Sequence, residues 1–215
     1  MTARMSGWLI AVASLFGAIS ALVIIGWRPE VTEARYSYPF GPTSFVVAQL
    51  LFAARDAVVL VGLIGLTLAL WPQARRTTRI GLLVADAGML LFALAELFAL
   101  TARSAATIST EADAANAFYG APMTVHGIGL LIAGVGLARS RQLPGALGRW
   151  IVLAAGVYVF FPVFPAVFAP MVWGRLAIGS WLVLCAGIGV ALVRWAARNE
   201  SPSAAVRAAE CSAIR

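Results

Sequence analysis

The sequence predicts an all-α polytopic membrane protein, a bundle of six transmembrane helices with the N- and C-termini cytoplasmic. Three observations lead there. Of its 215 residues, 61% are hydrophobic and 12% charged, with a mean hydropathy of +0.90; soluble domains are about half apolar and about a quarter charged. The apolar residues gather in six runs, each close to the ~20 residues that cross a bilayer as a helix. The basic surplus of +7 rests on arginine alone, and the arginines sit between the runs, where topology is set.

The runs cover 7–27, 44–71, 80–101, 119–138, 150–173 and 176–195. Lipid offers no partner to an open backbone group, so helices are the economical reading. Trp8, Trp27, Trp71, Trp150, Trp173 and Trp195 mark run ends, where an amphipathic ring prefers the headgroup level, and Trp181 alone falls inside a run. The first run is longer than a signal-peptide core and stays apolar to Ile25, so it reads as a retained span. Residues 1–198 form one domain, and 199–215 read as a short, disordered cytoplasmic tail.

Orientation follows from counting. Arg4, Arg75, Arg76, Arg79, Arg139, Arg141, Arg149, Arg194, Arg198, Arg207 and Arg215 fall on one side, against Arg28, Arg35, Arg103 and Arg175 on the other. The first set is the cytoplasmic one under the positive-inside rule. Arginine without lysine, with much alanine and glycine, suggests the inner membrane of a bacterium. The same placement argues against nucleic acid as a partner, because the arginines form neither a face nor an aromatic-interleaved patch.

Two connections have character. Residues 28–43 carry Tyr36, Tyr38, Pro39, Phe40, Gly41 and Pro42, a turn-rich segment expected to fold onto the membrane surface. Thr110 and Asp113 have capping-box spacing for a helix running into the fourth span. In the fifth run Pro162, Pro165 and Pro170 predict a kinked or broken outer half. Gly120, Gly127, Ala133 and Gly134, with Gly187 and Gly189, offer small surfaces for close helix packing.

Ionisable side chains inside spans are costly and mark the place to look for function. Five occur: Arg55, Asp56, Asp86, Glu96 and His126. Taking antiparallel neighbours as packed together, the candidate intramembrane site is Arg55, Asp56, Glu96 and His126, with Gln49 one face-repeat before Asp56 and Thr124 extending the polar stripe. Arg55 and Asp56 project about 100° apart, so Glu96 is the expected partner of Arg55 and His126 that of Asp56. Asp86 is assigned to Arg79, seven residues earlier on the same face.

No cofactor is expected. A lone histidine excludes bis-His haem and disfavours zinc, the two cysteines, Cys185 and Cys211, read as free thiols, and no phosphate-binding or nucleophile motif occurs. Transport is the first reading, with a scaffold as the alternative and an enzyme third. A small-solute or proton-coupled transporter needs a hydrated cavity reaching Asp56 or His126. A scaffold or assembly protein, partnered by another membrane protein or a second copy, needs a closed bundle with its charges paired and an arginine-rich face toward anionic lipid. An intramembrane enzyme using Glu96 or Asp56 with His126 needs a lateral opening.

Overall fold

The computed structural model describes residues 1–166 and 169–199. The tail from 200 onward, with Cys211, Arg207 and Arg215, lies outside the described residues. Helices α1 (Ala3–Ile25), α2 (Pro42–Leu70), α3 (Arg76–Ala99) and α4 (Thr110–Ser140) are followed by α5 (Gly145–Tyr158), a π-helical turn (Val159–Val163), the short α6 (Phe164–Ala166) and α7 (Met171–Asn199). No strand occurs among the described residues. Six of these units are long and apolar enough to cross a membrane, α5 through α6 counting as one.

Each helix packs on its neighbours in the chain, and α7 packs on both α1 and α5, so the bundle closes into a ring. The two most extensive pairings, α1 with α7 and α3 with α4, run along small residues. Gly7 and Gly189 meet across the first, where an added Cβ on either would strike the facing backbone. Gly81, Gly88 and Gly129 do the same for the second, against Ala133, His126 and Ala85. Without a hydrophobic drive between helices in lipid, such close backbone approach maximises dispersion contact. Gly134 lies on Leu153 and Gly127 on Val159 and Phe160, as packing surfaces should, but Gly120 faces nothing within 4 Å.

The outward faces are apolar. Val12, Leu15, Leu22, Leu50, Leu68 and Val183 are each at least half exposed or nearly so, an arrangement that only a lipid solvent favours. Trp8, Trp150 and Trp173 are also exposed.

The helices run several residues beyond most of the apolar runs, and the junction of the last two spans differs from the sequence reading. The fifth span ends at Ala166 and α7 begins at Met171, so Trp173, Gly174 and Arg175 belong to the sixth span and not to its approach. The proline-rich stretch carried hydropathy past the true helix end, because prolines among aromatics still score as apolar. The expected break in the fifth span is present as the π turn around Pro162, where the missing N–H and the ring clash are absorbed by a wider turn. The fourth helix starts on Ser109, whose Oγ accepts from the Ala112 N–H at 3.2 Å; Thr110 is the first helical residue, and the helix runs unbroken to Ser140.

The connections at the two ends differ in kind. At one end, which carries the chain's first residues and the α2–α3 and α4–α5 turns, arginines dominate, and Gln142 Nε2 donates to the Gln73 carbonyl across the two turns. At the other, residues 28–41 and 103–109 are tied into one lid. Tyr36 N–H donates to Ala105 O at 3.1 Å, Thr107 N–H to Ala34 O at 2.8 Å and the Arg35 guanidinium to Ser104 O at 2.8 Å.

Candidate functional site

The candidate site residues fall into two groups. At mid-depth, Asp56 of α2 and His126 of α4 border one small cavity with Ser14 of α1 and Trp181 and Cys185 of α7. Its volume, the space open to a water molecule's centre, is about 10 Å3, which is room for about one water. The Trp181 ring fixes the centre of the bundle, standing edge-on to His126 at 5.6 Å and tilted against Phe92 at 6.3 Å.

Arg55 donates to Asp56 twice, from Nε at 2.9 Å and Nη2 at 2.5 Å, both to Oδ1. This corrects the expected pairing. The argument from 100° between Cβ directions ignored the reach of the arginine stem, which folds back along its own helix to the next residue. The guanidinium lies in a notch beside Gly17 of α1 and over Phe52 at 5.6 Å. With 12% of the Arg55 side chain and 2% of the Asp56 side chain exposed, it is a buried ion pair.

His126 does not bond Asp56 either. Its Nδ1 lies 2.8 Å from the Ala85 carbonyl of α3. A carbonyl only accepts, so Nδ1 carries a proton and donates it to Ala85. That bond crosses a close approach of α3 and α4, where Gly88 faces the His126 backbone and Gly129 faces that of Ala85.

Nearer the lid, Tyr119 of α4 joins two of the expected residues. Its hydroxyl donates to Glu96 Oε2 at 2.6 Å and accepts from Gln49 Nε2 at 3.1 Å. Arg175 of α7 is an electrostatic neighbour of Glu96, Tyr119, Arg55 and Tyr36. Tyr36, in the lid, has its phenol pushed up to about 12, first by burial and then by the Glu96 charge, against the opposing effect of Arg175. The predicted site residues Arg55, Asp56, Glu96, His126 and Gln49 are thus all in the bundle interior, divided into a mid-depth pair-and-cavity and a Gln49–Tyr119–Glu96 chain.

No family model, curated protein or solved structure matches this chain.

Tyr119, Arg175, Ser14 and Trp181 were not foreseen as members. Trp181 carried a signal, as the one tryptophan away from a span end. Arg175 was hidden by the misplaced end of the fifth span, and a lone Tyr or Ser in an apolar run carries no signal of its own. Two further assignments are corrected. Asp86 accepts from Thr67 Oγ1 at 2.8 Å, while Arg79 turns to the Trp71 carbonyl at 3.0 Å and to the face of that ring. Thr124 donates to the Gly120 carbonyl of its own helix and does not extend the stripe.

Three buried polar atoms around the cavity or on its rim make no hydrogen bond among the described residues: Asp56 Oδ2, Ser14 Oγ and Trp181 Nε1. They combine an acceptor, a donor and a hydroxyl that is both. A water molecule suits that set, since it accepts from the indole and donates to the carboxylate; a bare cation is disfavoured by the indole N–H and by Arg55. No cluster of three or more His, Cys, Asp or Glu with metal-site geometry occurs among the described residues.

Glu30 organises the lid. Its Oε2 accepts from Gly41 N–H at 3.0 Å and Ser44 Oγ at 2.8 Å, and its Oε1 from Trp27 Nε1 at 3.1 Å. Those donors, Ser44 foremost, hold the carboxyl below the usual carboxylate range. Gly41 is the N-cap of α2 and has no side chain of its own, so Glu30 supplies the cap from eleven residues away.

Proposed function

We propose that this chain is a non-enzymatic scaffold or assembly protein of the bacterial cytoplasmic membrane, its intramembrane polar groups serving as an internal lock. One observation carries the reading: the five ionisable groups that the sequence places inside apolar runs, Arg55, Asp56, Asp86, Glu96 and His126, each have a partner inside the bundle. Arg55 holds Asp56, Glu96 takes the Tyr119 hydroxyl, Asp86 takes Thr67, and His126 donates to Ala85. The cavity among them has space for about one water, too little for a solute. The function then lies on the surfaces: apolar faces toward another membrane protein or a second copy, and the arginine-rich end toward anionic lipid on the cytoplasmic side.

A proton-coupled carrier is the second reading, favoured by Asp56 Oδ2, which has no hydrogen bond among the described residues and belongs to a residue that borders the cavity. Reconstituted vesicles with an internal pH dye separate the two. The lock predicts that a pH step dissipates no faster than in protein-free vesicles and that Asp56→Asn lowers thermal stability in detergent. Proton flux above the protein-free rate that vanishes in a folded Asp56→Asn variant overturns it.

A further inference from the structure

We propose that the pocket between the α4–α5 turn and the end of α7 binds a phosphate-bearing anion, met in a membrane as the headgroup of an anionic phospholipid. The pocket is a concavity of about 500 Å3 lined by Arg141, Arg149, Arg198, Trp150 and the first residues of α5, Gly145 and Ala146. Among the described residues no acidic side chain lines it. This deepens the preceding reading of the arginine-rich end and depends on no feature of the core lock.

Its donors are arranged before any ligand arrives. Arg149 Nε is spent on the Ala138 carbonyl at 3.0 Å and its guanidinium stacks over Trp150 at 5.1 Å, which fixes the plane. Its two Nη groups make no hydrogen bond among the described residues and remain as a fork of the kind that matches phosphate oxygens. Arg141 closes α4 in the left-handed region, at φ 54°, where glycine is the usual occupant. A bulky cation held in that sparsely used conformation places its charge on the pocket wall. Helix α5 begins at Gly145 with Pro144 as N-cap and no side-chain cap, so its first backbone N–H groups and the positive end of its dipole are available to an anion. Trp150 is exposed beside them and marks the headgroup level. Arginines, a bare helix N-terminus and an interfacial tryptophan around one basin form the chemistry of lipid-phosphate capture between spans.

The test uses the full chain in neutral detergent, titrated with a short-chain phosphatidylglycerol, the phosphatidylcholine of the same chain length and inorganic phosphate. Binding is read by native mass spectrometry and thermal shift. Phosphatidylglycerol is expected to bind well ahead of phosphatidylcholine. Arg141→Gln and Arg149→Gln should each weaken it about fivefold, the worth of one arginine at a charged membrane surface, while Arg103→Gln at the opposite end leaves it unchanged. Displacement of the lipid by inorganic phosphate assigns the site to free anions, and failure to displace assigns it to the lipid. Because Arg149 also braces the α4–α5 turn, the exposed Arg141 carries the decision. Equal binding of the two lipids, or equal loss in Arg141→Gln and Arg103→Gln, overturns the proposal.

Discussion

Replacing Asp56 by leucine is the most informative single perturbation of the bundle. The change removes the acceptor of both Arg55 hydrogen bonds while leaving the guanidinium where only 12% of its side chain reaches solvent. A buried charge deprived of its partner costs about 3–5 kcal/mol. Arg55→Leu is milder, because the stranded carboxyl can take up a proton, and should cost about 1–3 kcal/mol, the desolvation of an unsatisfied polar group. The double replacement removes both charges and fills the space with hydrocarbon, so it should be more stable than Asp56→Leu alone; the coupling is then at least about 1 kcal/mol. Reversible unfolding by SDS titration of the purified chain in mixed micelles reads all four corners of the cycle. A cost below about 1 kcal/mol for Asp56→Leu, or a double variant that loses the sum of the singles, refutes the view of this pair as a lock.

Further outcomes follow from other contacts. Tyr119→Phe strips Glu96 of its donor and Gln49 of its acceptor, and should cost about 1–3 kcal/mol in the same titration. Gly88→Ala forces a methyl into the His126 backbone and should cost about 1–3 kcal/mol, whereas Gly120→Ala meets open space and should be neutral or stabilising by up to about 1 kcal/mol. For Glu30, a folded pKa below the unfolded one means its stabilisation is complete above the unfolded value and is lost as pH falls through the folded value; the hydrogen-exchange protection of residues 28–45, relative to the intrinsic rate at each pH, should therefore fall in acid, and Glu30→Gln should show much of that looseness already at neutral pH. For Tyr36, a folded value raised to about 12 predicts tyrosinate absorbance appearing later than in a free phenol, with lid stability lost as pH climbs from about 10 to about 12; a titration complete near pH 10 contradicts the buried phenol.

The architecture was legible because the solvent imposes it: in lipid each backbone group must bond within its own helix, so six apolar runs become six helices whatever their side chains. The irregular fifth span was legible for a related reason, since proline acts locally. The interior was legible in membership but not in pairing. Burial of Asp56, Glu96, His126 and Gln49 follows from the cost of polar groups in hydrocarbon. Who bonds whom depends on stem length and helix rotation: Arg55 bends back to its neighbour, and His126 finds a carbonyl exposed by the close α3–α4 contact. The Glu30 cap was invisible to periodicity because loop chemistry has no period.

The ring closure between α1 and α7 sets an order on assembly. Ser14 comes from the first span and Trp181 from the last, and both border the central cavity with Asp56. Until the ribosome has delivered the final helix, Gly7 and Ala11 have no Gly189 to lie against, and the Asp56 side of the bundle is open to lipid along a whole seam. A nascent chain of five spans therefore holds a polar interior it has no means to seal.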